Sequence, residues 1–432
     1  MPITASKDGF REEIAMKAFQ QQIQSDLVIN SIFEQASNAY DIKAQPGAAD
    51  AKNEMPTGFV QTIPRAEFSE ETRSLKQVMG SRPKLNFVGG PQQAEGKEKS
   101  IDLNKLEVFH NVWRMPFKLV NGKDPESNFK KWYVKAAMKT QIAKQAVEEV
   151  RDLFYHQAMF EGACSLLTDN QYWANHDNAD FQTAPLTQRL HPNWFYKGMT
   201  TAPTRSATYA TDVTNLNAAM ANMSPSSTFD LAALKSFIRI LRKRCKKLNW
   251  KAGGTVINHV VVLSEYQGEQ LRGDTNWQTL MQNAEARGPE NRAITGVIAV
   301  FDKALVIIDD RAPVWDLSNQ KMLYMAPDTS TSLSNVLYYE GEQSIDRVVK
   351  GAATVATGTC ELAFGGGAGA IIHPQPKDFE LDSDTFDYGF REGFCVSSIE
   401  GMQRADWIKK DGSTIFTPTS AVYATATPAL MA

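Results

Sequence analysis

The sequence is short of the residues on which extracellular scaffolds and most compact active sites depend. It has four cysteines in 432 residues, Cys164, Cys245, Cys360 and Cys395, and no two stand in a CxxC spacing. Disulfide frameworks and zinc ribbons need closely paired cysteines, so free thiols in a reducing compartment are expected. Histidine is scarce as well, six in all and scattered. His259 lies beside a valine-rich strand with no His or Cys at ligand spacing, which reads as a core or interface histidine. No HExxH occurs and no GxSxG surrounds a serine. No apolar run approaches the ~20 residues of a membrane span. The opening MPITASKDGFREE lacks the charged-then-apolar order of a secretory signal. A cytoplasmic setting without membrane contact is expected. A basic excess is also missing. The net charge of -3 argues against a dedicated nucleic-acid binder and leaves room for a local contact alone.

Two patterns look like sites and fail on their context. Gly365-Gly366-Gly367-Ala368-Gly369-Ala370 fits a G-x-G-x-x-A fingerprint. A dinucleotide needs a helix N-terminus after it, and here Pro374 and Pro376 follow at once. A flexible turn at which backbones approach closely is the better reading. No Gly-Lys-Ser/Thr follows any glycine-rich loop, so a P-loop is absent. Asp382, Asp384 and Asp387 resemble part of a calcium loop, but Phe386 occupies the third ligand place. They are expected to form a solvated acidic turn. No catalytic residue, cofactor or metal ligand is assigned.

What is present is architecture. At 42% hydrophobic and 22% charged, the chain is long enough for two or three compact units and a large core. Residues 1–75 read as an arm, with one amphipathic helix over Ile14–Phe33 and then a polar stretch. Residues 76–125 read as an extended β-hairpin. Lys84–Val88 and Ile101–Leu119 supply the strands, and Glu95, Lys97, Glu98 and Lys99 form a charged tip. A two-stranded ribbon is marginal alone in water, so it needs a partner surface. Over 126–164, Met138, Ile142, Ala146, Val150 and Leu153 recur at helical spacing without Gly or Pro, giving a spine helix over about Lys130–Phe160. Residues 165–228 read as a loop-rich insertion with clustered aromatics, among them Trp194, Phe195 and Tyr196. Residues 229–378 read as a mixed α/β unit. It opens on a helix running from after Asp230 through Leu248, with strands expected at Val256–Leu263, Val297–Asp309 and Met322–Met325. Residues 379–410 supply a return strand, and the Thr/Ala/Pro-rich tail of 411–432 is expected to be loose.

One charge run stands out. Lys235, Arg239, Arg242, Lys243, Arg244, Lys246, Lys247 and Lys251 occur with no acid from Leu231 to Lys251. An acidic neighbouring subunit, DNA phosphates or plain solvent are the readings open to it.

The order of arm, over-long ribbon, spine helix and α/β unit resembles the tailed-phage coat fold called Hong Kong ninety-seven. The local match lies in Val260-Val261-Val262-Leu263-Ser264-Glu265-Tyr266-Gln267, with Leu271-Arg272 and Asp274-Thr275-Asn276-Trp277 after it. Asn291, Ile294–Phe301, Glu361–Gly365 and Asp387–Arg391, ending near Gly401 and Arg404, are similar to the podovirus-type branch. The resemblance covers about residues 100–407.

It implies an α+β coat subunit with no enzymatic role. Such a subunit has an N-terminal arm, an extended loop, a peripheral domain on a spine helix, and an axial domain (229–378). The chain would self-assemble as pentamers and hexamers into an icosahedral head, built in the host bacterial cytoplasm and found in the virion. Partners implied are further copies of itself, scaffold, portal and decoration proteins, and double-stranded DNA on the inner surface. Inter-subunit contacts are expected at Phe87, Glu95, Lys97, Glu98, Lys99, Lys235, Arg239, Arg242, Lys243, Lys246, Trp277, Gly365, Gly366 and Gly367. The glycine turn is expected to permit different packing in the two ring types. Another virion part, such as a tail or connector component, and a nucleotide-binding oxidoreductase are the rival readings.

Overall fold

A computed structural model describes residues 59–64, 72–77, 104–109, 111–120, 151–152, 154–160, 191, 193–199, 209–224, 227–248, 250–252 and 255–285. It further describes 294–295, 298–309, 312–317, 320–325, 337–340, 344–347, 359–375, 377–386, 391–405, 407–408, 415–416 and 419–426. The expected ribbon tip, the arm helix and most of the spine helix lie outside these residues.

The core is a mixed sheet of eleven strands. At its centre β8 (His259–Ser264) runs parallel to β11 (Ala304–Asp309), with His259 opposite Ala304 and Ser264 opposite Asp309. On its other side β8 meets β16 (Thr359–Gly366) antiparallel, and β16 in turn pairs along its length with β23 (Ser420–Ala426). The sheet ends on that side at β5 (Trp194–Tyr196), parallel to β23. Beyond β11 comes β10 (Ile298–Phe301), joined to it through Asp302 and Lys303, at φ 50° and 64°. Left-handed backbone at both centres of a two-residue turn is the geometry that matches strand twist in a hairpin.

Continuous apolar runs mark strands buried on both faces, and alternation sorts their side chains between two layers. Val260, Val262, Leu305, Ile307, Leu362, Phe364, Val422 and Ala424 enter one core cluster. There they meet the helical residues Phe154, Tyr155, Ala158, Met159 and Phe160 of α1 (154–160), and Val213, Leu216 and Met220 of α2 (Tyr209–Ala221). Val261, Leu263, Val306, Ala363 and Tyr423 point the other way. Their partners are α3 (Leu231–Arg244), α4 (Glu265–Gly273) and Trp277 of α5 (Thr275–Glu285). The central sheet is thus covered by helices on both sides.

Smaller sheets extend this body, and Val60, Ile371, Phe379 and Val396 from them enter the first core cluster. β18 (Lys377–Phe386) pairs with β19 (Arg391–Glu400), which pairs with β4 (Asn111–Val120). β2 (Thr72–Gln77) pairs with β3 (Asn104–Phe109), and β1 (Val60–Pro64) runs parallel to β17 (Ile371–Gln375).

Five expectations are corrected here. The tail is not loose from end to end, because Ser420–Ala426 is buried throughout and sits between β16 and β5. Its Ala, Ser and Thr residues are small enough for the crowded middle of a two-sided sheet. The arm region contributes to the core, since Phe59 is fully buried against Phe364. The insertion is not all loop, because it supplies β5 and the thirteen-residue helix α2. Residues 111–120 form no free ribbon arm, because all ten pair with Arg391–Glu400. Asp382 and Asp384 likewise lie within the strand β18 and not in a turn.

Candidate interaction surfaces

The expected site begins with α3, and local chemistry explains why that helix is well formed. Asp230 caps it by accepting from the Ala233 amide at 2.7 Å, and Asp274 accepts from the Leu231 amide at 2.8 Å. Those backbone donors, from Leu231 and Asn276, hold the Asp274 carboxyl below its ordinary range. Arg242, Lys243 and Arg244 occupy the last turn, where positive charge suits the exposed carbonyls. Leu231, Ala233, Leu234, Phe237, Ile238 and Leu241 bury the inward face.

The outward face keeps its charge. Lys235, Arg239 and Lys243 are exposed at successive four-residue steps, and Lys247 is exposed just beyond. Arg242 bridges the Asp302 carboxylate in the β10–β11 turn, so this cation serves to pin the hairpin to the helix. Arg244 lies 4.9 Å over the Phe195 ring. Lys246 is half-buried, and burial lowers its pKa from the usual lysine value. Phe87, Glu95, Lys97, Glu98 and Lys99 lie outside the described residues.

The remaining expected contact residues belong to the chain's own interior. Trp277 is 5% exposed and packs on Phe301 with ring centroids 5.8 Å apart. That correction has a simple cause: α5 turns its indole inward, onto the hairpin. Gly365, Gly366 and Gly367 are buried too. A Cβ at Gly365 would stand 2.6 Å from Phe237 and 2.7 Å from Leu241, so the missing side chain lets α3 sit against β16. At Gly367 it would fall 1.7 Å from the Lys246 carbonyl oxygen. The close backbone approach is real, but it is required within one chain and is no loose turn between chains. The glycine run leads from β16 into β17, so no helix N-terminus follows it for a pyrophosphate.

Sequence reasoning missed a groove of about 440 Å³ between the β5 edge and α3. Phe195, Tyr196, Met199, Ile240 and Tyr423 line it, with Arg244 at one side. The aromatic cluster at 194–196 was its one visible signal.

Buried polar groups elsewhere do structural work. His156 Nε2 lies 2.6 Å from Asp309 Oδ2, which ties α1 to the end of β11. His191 Nδ1 accepts from the Asn193 amide at 3.0 Å, so its Nε2 carries the proton donated to Ser420 Oγ at 2.9 Å. Gln267 donates to Thr425 Oγ1 at 2.9 Å, joining α4 to β23. His259 is fully buried, and burial first of all holds its pKa down to about 4. Among the described residues no group of three or more His, Cys, Asp or Glu is placed to hold a metal ion. Among the same residues no helix is long and apolar enough to cross a membrane.

No family model matches the chain, and no curated protein sequence matches it. Solved structures do. The capsid asymmetric unit of cyanophage Pam1 superimposes with a TM-score of 0.54 at 12% identity, over 86% of this chain and 89% of that one. The capsid of Ralstonia phage GP4 gives 0.53 at 12% identity, over 88% and 92%. The chain therefore has the α+β fold of these phage capsid structures.

Proposed function

From that fold as premise, we propose that this chain is a major capsid protein. It self-assembles as pentamers and hexamers into the icosahedral head around a phage genome, and is a structural protein and not an enzyme. The observation that carries the reading is the breadth of the structural likeness. It takes in most of this chain and most of each capsid chain, as expected for one coat subunit and not for a shared domain. The physical argument agrees. A coat subunit also needs a folded body to carry its contacts, and the central sheet covered by helices on both faces supplies one.

In this reading the protein resides in the virion and is assembled in the host cytoplasm. The loop around Phe87 and the charged tip Glu95, Lys97, Glu98 and Lys99 reach across a neighbouring copy. Scaffold, portal and decoration proteins are further partners, and double-stranded DNA lies against the inner surface. No specific observation favours the tail-component or oxidoreductase readings.

The test is to express the full chain, with and without crowding agents, and to examine it by sedimentation and negative-stain electron microscopy. Closed shells, or rings of five and six, are expected. Tubes or rings of one other fixed number would move the chain to a different part of the virion. A persistent monomer that binds a nucleotide would overturn the coat reading.

A further inference from the structure

We propose that the outward face of α3, with Lys247 just past its end, is a sequence-independent contact for the phosphate backbone of double-stranded DNA, made by Lys235, Arg239, Lys243 and Lys247. The proposal rests on the coat reading, which supplies the polyanion, and adds the surface that holds it.

Charge segregation is the first observation. The chain is net -3, yet residues 231–251 hold eight cations and no acid, leaving -11 for the remainder. Concentrating like charge on one helix costs self-repulsion, so the pattern calls for an external anion. Pairing within the chain is the second. Arg242 is neutralised by Asp302, whereas no carboxylate among the described residues bridges Lys235, Arg239, Lys243 or Lys247.

The third observation concerns form. Lys235, Arg239 and Lys243 lie in a row about 12 Å long, one cation per ~6 Å of helix. A row of exposed point charges suits a continuous line of phosphates. The helix beneath is rigid, capped at its start and buried along its inward face.

Composition then separates nucleic acid from a protein partner. Protein interfaces are depleted of lysine and anchored by buried aromatics. This face is lysine-rich, and the exposed non-cationic positions of α3, Ala232 and Ser236, are small. Leu280 on α5 is the exposed large hydrophobic side chain among the described residues, and it is not on α3. The row has no Asn or Gln to pair with adenine edges and a single arginine among lysines, so it suits phosphates better than base edges.

The experiment uses the unassembled full chain and a fluorescein-labelled 30-base-pair duplex of arbitrary sequence, read by anisotropy across a salt series. Each phosphate neutralised contributes about -0.9 to the slope of log K against log salt. The triple variant Lys235→Gln, Arg239→Gln, Lys243→Gln should bind more weakly at low salt, with the slope shallower by about 2.7. Circular dichroism checks that the variant is folded, and Lys303→Gln, an exposed lysine in the β10–β11 turn, serves as control. An unchanged slope, or no binding by the unaltered chain, overturns the proposal. Shell assembly is scored separately by sedimentation. Assembly lost in the triple variant with an unchanged slope would assign the row to a carboxylate surface on a second copy. Failure of the unaltered chain to assemble would count against the coat reading itself.

Discussion

Consider Val422 and Tyr423, neighbours on a strand that sequence composition places in a loose tail. Val422 is fully buried in the cluster shared with α1 and α2, and Tyr423, 2% exposed, faces α3. A half-buried strand would tolerate change at every second position, whereas this one should tolerate it at neither. Val422→Ala removes two methyl groups, at about 0.8 kcal/mol each for transfer, and leaves a cavity, for a total of about 2 kcal/mol. Tyr423 packs with ring centroids 5.7 Å from Phe229 and 5.3 Å from Phe237. Its replacement by alanine should cost about 3–5 kcal/mol, as for other large aromatics in cores. Thermal unfolding of the unassembled chain should show Val422→Ala lowered by about 2 °C and Tyr423→Ala by about 4 °C. Hydrogen exchange read by mass spectrometry gives an independent check, with strong protection expected over 420–426. Losses below about 0.5 kcal/mol at both positions, with exchange as fast as in an unfolded peptide, would refute the buried strand.

Three further outcomes are expected. Gly367→Ala should abolish soluble expression, because its Cβ meets the backbone oxygen of Lys246, whereas Gly268→Ala meets the mobile end of Ile308 at 2.8 Å and should cost less than about 2 kcal/mol by urea unfolding. His259 is held at about 4 against the usual 6.5, so between these values the unfolded chain binds a proton that the folded chain refuses. Stability should therefore fall as pH drops from 6.5 towards 4, by about 1.4 kcal/mol per unit, and His259→Gln should lack that part of the slope in urea titrations. Burial pushes the Cys245 thiol up to about 12, so Ellman's reagent at pH 8 should label the partly exposed Cys395 before Cys245 and leave Cys245 until the chain unfolds.

Helix α3 was legible in its start and inward face, written locally in Asp230 and the Leu and Ile spacing, whereas its end falls at Arg244 and not at the expected Leu248, because Cys245 turns extended although the apolar spacing continues. The strand character of His259–Ser264 and of 298–309 was legible as apolar, β-branched runs, but not the turn at Asp302 and Lys303 that splits the second run into β10 and β11. Partnership was not legible. Nothing in Asn104–Phe109 announces that it pairs with Thr72–Gln77, nor in Asn111–Val120 that it pairs with a segment some 280 residues later. Composition misled at Ser420–Ala426, where small residues that look loop-like alone are what a crowded sheet centre accepts. Among the expected contact residues, the exposed cations of α3 stayed on the surface. Trp277 and the three glycines turned inward, because one sequence signal, a large aromatic or a glycine run, serves interior and interface packing equally well.

The position of β23 has a consequence for timing. A ribosome delivers this strand after every other strand of the central sheet, yet its place is between β16 and β5 and not at a rim. Until it arrives, β16 presents an unpaired side and β5 has nothing to hold it, so the nascent sheet cannot close. A prematurely terminated chain would lack the piece that completes the body. Such a product would leave the side of β16 open, and an unpaired strand edge invites aggregation, so the last strand to be made decides whether the body can close.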